Sequence, residues 1–118
     1  MAKHKIVWSH RAKIKLFEIL DYYTNRNKNS TYSIKLYRKF KKELSLLIKQ
    51  PEIGLKTDFE NVRGLIVGKF ILFYEVTPEM IIVHTVWDCR QNTDDLIIKY
   101  GFLSEIRTYF TFRGFFFT

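Results

Sequence analysis

Residues 83–92, VHTVWDCRQN, gather a histidine, a carboxylate, a thiol, a guanidinium and two amides into ten positions. The stretch begins with the apolar/polar alternation of a β-strand and ends in a polar cluster with no glycine or proline to turn it. His84, with an unperturbed pKa near ~6.5, is the natural acid–base candidate in this stretch. Arg90 offers a planar, permanently charged fork suited to a phosphate or a carboxylate. Its alternative is a solvated arginine paired with Asp88. Cys89 has His84 near in sequence, but no third group at a spacing that would orient a thiol nucleophile. His4, His10 and His84 show no metal-ligand spacing, and the chain has no glycine-rich phosphate loop. No metal or cofactor is implied.

Alternation through residues 80–87 puts Met80, Ile82, His84 and Val86 on one face and Ile81, Val83, Thr85 and Trp87 on the other. If the first set packs against helices, His84 is a core histidine with its hydrogen bonds satisfied. If it faces away, His84 can reach Asp88 two pleats along.

A second chemical feature is basic. Lys35, Arg38, Lys39 and Lys42 recur at i, i+3, i+4 and i+7, one stripe on a helix, with Lys41 beside it. Like charges so placed oppose the helix mildly, and an anionic partner would relieve that cost; the alternative is a solvated face. The formal net charge is +8, and residues 1–50 alone hold 13 Lys and Arg against Glu18, Asp21 and Glu43. The second half is slightly acidic. Basic character confined to one half directs it at a polyanion, nucleic acid or an acidic protein.

The elements that must carry these groups are legible from periodicity. Residues 4–9, HKIVWS, form a short β-branched and aromatic strand. Ser9 then caps a first helix whose apolar positions are Ala12, Leu16, Ile19, Leu20 and Tyr23, ending near Asn25. Ser30 caps a second, with Ser33, Leu36, Tyr37, Phe40, Leu44, Leu47 and Ile48 buried, and Pro51 stops it. From Asn61 the period falls to two: residues 62–67, 69–76 and 80–87 predict three strands joined by short turns at Gly68-Lys69 and Thr77-Pro78-Glu79, an antiparallel meander. The class is therefore α+β, in the order β-α-α-β-β-β, with a helical hairpin on one face of a single sheet. The N-terminal strand joins that sheet at an edge or beside the first meander strand.

The 118 residues suffice for one domain, placed at residues 1–100. A single cysteine and the lack of any apolar run approaching ~18 residues predict a cytosolic protein with no membrane association. Residues 101–118 form an aromatic C-terminal extension, with six phenylalanines in the last 17 residues. It reads as a core-sealing strand, a self-association patch or a tail added past an older end of the gene; the last two together are preferred.

Three stretches resemble the RelE/ParE toxins of bacterial type II toxin–antitoxin systems. Residues 8–23, WSHRAKIKLFEILDYY, match the first strand and helix, 61–76, NVRGLIVGKFILFYEV, the central hairpin, and 81–92, IIVHTVWDCRQN, the terminal strand running into its basic end. The resemblance spans residues 4 to about 100. It implies a small α+β toxin encoded beside an acidic, partly disordered antitoxin that wraps it. It also implies one of two targets: messenger RNA on the ribosome for the RelE branch, with translation inhibited, or DNA gyrase for the ParE branch. Of these, a ribosome-dependent, metal-independent endoribonuclease is the leading expectation, and a non-enzymatic gyrase inhibitor, or a decayed toxin that still binds its antitoxin, the alternative.

Cutting RNA through its own 2′-hydroxyl needs a base, a donor for the leaving oxygen and a cation on the phosphate. The resemblance puts a functional basic residue at Arg90. It also implies an arginine early in the third strand, where this chain has Phe70-Ile71. Arg63 and Lys69 lie near that gap without sharing its position on the pleat. Glu75 shares a face with Ile71 and Phe73 and is a candidate base, or only an edge carboxylate. The candidate catalytic set is thus Arg90, Arg63, His84 and Glu75. Lys35, Arg38, Lys39, Lys42 and Lys69 are the candidate nucleic-acid or partner contacts.

Overall fold

The computed structural model describes residues 4–57 and 61–88. Its elements in chain order are β1 (Lys5–Trp8), α1 (His10–Asn27), α2 (Thr31–Lys49), β2 (Leu55–Lys56), β3 (Val62–Val67), β4 (Phe70–Val76) and β5 (Met80–Asp88). Among the described residues five strands form a mixed sheet in the order β1-β5-β4-β3-β2. The α+β class and the meander of β3, β4 and β5 are as the sequence predicts.

β1 does lie at an edge, but it pairs in parallel with β5, the last meander strand rather than the first. The place beside β3 is taken by β2, whose Leu55 and Lys56 oppose Gly64 and Arg63. A two-residue strand has no periodicity by which a sequence could show it. With β1 and β2 at opposite edges, the chain between them must cross the sheet, and the helical hairpin is that crossing.

The Ser9 hydroxyl accepts a hydrogen bond from the Ala12 N–H at 3.0 Å and so caps α1. Lys28, in the left-handed conformation at φ 61°, ends α1 two residues later than its apolar pattern suggests. Ser30 occupies the N-cap position of α2 but its side chain makes no capping bond. Asn29 does that work, its Oδ1 accepting from the Thr31 N–H at 3.1 Å. Ser33 locks the two helices together, its hydroxyl donating to the Leu20 carbonyl at 2.8 Å and meeting Thr24 Oγ1 at 2.8 Å.

The core lies between hairpin and sheet. Ala12, Leu16 and Tyr23 of α1 and Leu36, Phe40, Leu44 and Leu47 of α2 pack on Leu65, Val67, Phe70, Leu72, Tyr74, Ile81, Val83 and Val86. Phe40 meets Phe70 edge-on at 5.5 Å between centroids. Truncating a fully buried phenylalanine such as Phe40 to alanine costs ~3–5 kcal/mol. Ile19 and Leu20 pack at the margin of this cluster. Tyr37, predicted for the buried face, is exposed, with the Lys41 ammonium 5.5 Å from its ring centre. β4 is buried on both faces, with Ile71 and Phe73 as inaccessible as Phe70 and Leu72. This accounts for its continuous apolar run.

Candidate functional site

The pairing of β4 with β5 slips once. Phe73 opposes Thr85 and Tyr74 opposes Val83, so His84 has no opposite residue on β4. A bulge of this kind keeps two successive side chains on one face and reverses the alternation beyond it. The expected grouping of His84 with Val86 therefore fails. Val86 opposes Leu72 and joins Ile81 and Val83 under the helices, whereas Thr85 and Trp87 oppose Phe73 and Ile71 on the other face.

His84 keeps the face of Ile82, away from the helices. Its Nε2 lies 2.8 Å from Glu75 Oε1, and both side chains keep about a third of their surface exposed, 38% and 34%. His84 is thus not a core residue. Its partner is not Asp88, which the bulge sends to the helical side. There Asp88 lines a 440 Å³ hollow with Lys15, Glu18, Tyr22 and Val86.

Ser9 holds the bulge in place. Its backbone N–H donates to the Val83 carbonyl at 3.0 Å, and its hydroxyl donates to the His84 carbonyl at 3.0 Å while still capping α1. The sequence identifies Ser9 as a cap. Its second bond depends on β1 lying beside β5, which the sequence does not specify.

Arg63 is positioned for a different task. It opposes Tyr74 and shares its face, so it is on the helical side, away from Glu75 and His84. Its Nη1 donates to the carbonyls of Glu52 at 3.1 Å and Gly54 at 2.9 Å. The Tyr74 hydroxyl donates to the Pro51 carbonyl at 2.7 Å and accepts from the Gly54 N–H at 3.0 Å. Burial pushes the Tyr74 hydroxyl above the ordinary tyrosine pKa, with the Gly54 hydrogen bond and the Arg63 charge opposing that shift. A Cβ at Gly54 would stand 2.6 Å from that oxygen, which requires glycine there. Arg63 and Tyr74 together clamp residues 51–54 onto the sheet.

The five cationic candidates separate into groups. Lys35 and Lys39 meet Lys69 around a 330 Å³ hollow at the β3–β4 turn. Arg38 instead joins Lys41, Leu20, Ile34 and Tyr37 around a 410 Å³ groove between the helices. Lys42 is exposed on α2. Cys89, Arg90 and the aromatic extension lie outside the described residues. Among the described residues no three His, Cys, Asp or Glu side chains come together to hold a metal ion, and no helix is long and apolar enough to cross a membrane.

The profile of a family described as "ParE toxin of type II toxin-antitoxin system, parDE" matches residues 6–93, three quarters of the chain. The chain belongs to the ParE toxin family. It is the toxin of a type II toxin–antitoxin system. The fold is similar to that in the chromosomal ParDE toxin–antitoxin system of P. aeruginosa, with a TM-score of 0.61 at 17% identity, covering 72% of this chain and 95% of that one. The E. coli DinJ–YafQ toxin–antitoxin complex gives a TM-score of 0.46 at 14% identity, covering 72% of this chain and 91% of that one. YafQ from E. coli strain BL21(DE3) gives 0.45 at 14% identity, with 72% and 92% covered. No curated protein sequence matches the chain. Residues 94–118 lie beyond the family match.

Proposed function

We propose that this toxin arrests growth by binding DNA gyrase rather than by cutting messenger RNA, the reverse of the preference drawn from sequence. The observation that carries this reading is Ile71. It stands where the RelE-branch resemblance implies a phosphate-binding arginine, and it is fully buried opposite Trp87. Arg63, the nearest alternative, is tied to two loop carbonyls on the other face. Among the described residues the strand cation on the face of Glu75 and His84 is Lys5, which lies opposite Met80, four residues along β5 from His84. A cleavage site needs a cation where charge develops on the phosphorane, and losing one such donor costs ~10²–10³-fold in rate.

The 2.8 Å contact between His84 and Glu75 favours the second reading, RNA cleavage, because it is a ready acid–base pair. Arg90 would then supply the cation. Purified toxin added to gyrase and supercoiled plasmid separates the two. Accumulation of gyrase-linked broken DNA supports the first reading. Cut transcripts in a translating extract, with gyrase unaffected, support the second.

The antitoxin is the other partner. An acidic amphipathic segment fits the groove between the helices, where Ile34 and Tyr37 are exposed and Arg38 and Lys41 flank them. Phe17 and Ile14 extend the exposed apolar surface along α1. Such a partner covers apolar residues that a solitary domain leaves in water. Isothermal titration with the acidic segment of the neighbouring reading frame tests this. Charge reversal at Arg38 and Lys41 weakens binding if the groove is the site.

A further inference from the structure

The hollow at the β3–β4 turn combines features that the antitoxin groove lacks. Its rim carries three ammonium groups, from Lys35 and Lys39 one turn apart on α2 and from Lys69 on the turn itself. Its floor is apolar, made by Leu36, Val67 and Phe70, and no carboxylate lines it. Tyr32 forms one wall. Its ring meets Tyr23 edge-on at 4.8 Å between centroids, and the Lys69 ammonium lies 5.4 Å from the centre of the Tyr23 ring. Tyr32 is therefore braced by a buried tyrosine while 37% of it stays exposed. Gly68 keeps the mouth open: it sits at φ +61°, where side chains are strained, with Lys39 Nζ 3.9 Å from the position a Cβ would take.

We propose that this hollow is a docking site for single-stranded nucleic acid. One base enters against the apolar floor and the braced face of Tyr32. The phosphates on either side of that base meet Lys35, Lys39 and Lys69. At 330 Å³ the hollow is at the small end of ligand sites, which suits one flat ring rather than a folded chain. A duplex fits poorly, because its bases are stacked away from such a slot and only its phosphates could touch the rim. An acidic peptide would satisfy the lysines but leave the aromatic wall without a matched planar face. Stacking and phosphate contacts tolerate every base and either sugar, so DNA and RNA strands bind alike. The site is on the helical side of the sheet, apart from Glu75 and His84, and does not depend on which target the toxin inhibits.

The test is fluorescence anisotropy with labelled ten-nucleotide oligo(dT) and oligo(U) and the full chain, across a salt series. The cup variant Lys35→Glu/Lys39→Glu/Lys69→Glu is compared with the charge-matched control Arg38→Glu/Lys41→Glu/Lys42→Glu, both checked for an unchanged thermal midpoint. The cup variant loses at least ~10-fold in affinity, and its slope of log affinity against log salt falls by about 2, the value for three phosphate contacts to a single strand. The control loses less than the cup variant by a clear margin. Tyr32→Leu weakens binding by ~5-fold or more without changing the salt slope, the signature of lost stacking. Three outcomes overturn the proposal: equal losses in both triple variants, which reduce the effect to net charge; no effect of Tyr32→Leu; or tighter, cup-dependent binding of a polyglutamate peptide than of either oligonucleotide.

Discussion

His84 and Glu75 meet at 2.8 Å on the face away from the helices, His84 standing two positions along β5 from Ile82, the residue opposite Glu75. Past His84 the extra residue in β5 sends Val86 and Asp88 to the helical side, so Asp88, which unbroken alternation would place on the His84 face, is not the partner. The bulge thus leaves Glu75 as the partner of His84, and it is held from outside the β4–β5 pair by Ser9.

Ser9→Ala removes both the α1 cap and the bond to the His84 carbonyl. The loss of a cap costs ~1 kcal/mol, and the second bond adds up to a similar amount. A fall in thermal midpoint of about 4–8 °C per kcal/mol is the scale for a domain of 60–100 residues. Ser9→Asp separates the two roles, since a carboxylate accepts from the Ala12 N–H but has no proton for the His84 carbonyl. It recovers helix stability only in part. Full recovery by aspartate shows that the bond to the bulge contributes nothing.

Tyr74→Phe leaves the Gly54 N–H and the Pro51 carbonyl without their partner, at a cost of about 1–3 kcal/mol for buried groups. A pH dependence follows. Because the folded state holds the Tyr74 pKa above its unfolded value near ~10, the contribution is complete below that value. It is lost as pH rises toward the higher folded pKa. Urea unfolding measured from pH 9 to 11.5 is steeper in pH for the parent than for Tyr74→Phe. Identical pH slopes contradict the assignment.

Arg63→Met removes the two bonds to the Glu52 and Gly54 carbonyls and loosens the clamped loop. Stability falls by ~1.5–3 kcal/mol, the range for hydrogen bonds to charged groups. Growth arrest on induction falls only as far as the folded population does. A fully stable Arg63→Met protein that has lost toxicity returns Arg63 to the functional site.

The fold was largely legible from sequence because periods of 3.6 and 2 change sharply at Asn61, and because Ser9, Pro51 and Gly68 punctuate the chain where the structure turns. What escaped was local and cooperative. A two-residue strand such as β2 carries no pattern. The bulge at His84 cannot be read from β5, since it depends on the register that β4 and Ser9 impose together. Arg63 looked available because its acceptors are backbone carbonyls, and a sequence does not display where carbonyls point. Ile71 was visible as an anomaly, but its burial, which gives the anomaly meaning, was not.

His84→Ala and Glu75→Gln bear on the two activities. Under gyrase inhibition each variant, if folded, keeps its toxicity, because neither side chain has a proton to move. Under RNA cleavage each loses ~10²–10⁴-fold, the range for a general acid or base. Growth arrest in a titrated induction series reads the difference.

Gyrase as the target is open to one direct measurement. Full-length toxin is incubated with gyrase, ATP and supercoiled plasmid, and protein-linked linear DNA is quantified after denaturation. If the toxin acts on gyrase, linear DNA rises with toxin, depends on gyrase and disappears when cognate antitoxin is added first. No linear DNA and undiminished supercoiling at saturating toxin, with transcripts cut in a translating extract by the same preparation, would contradict it.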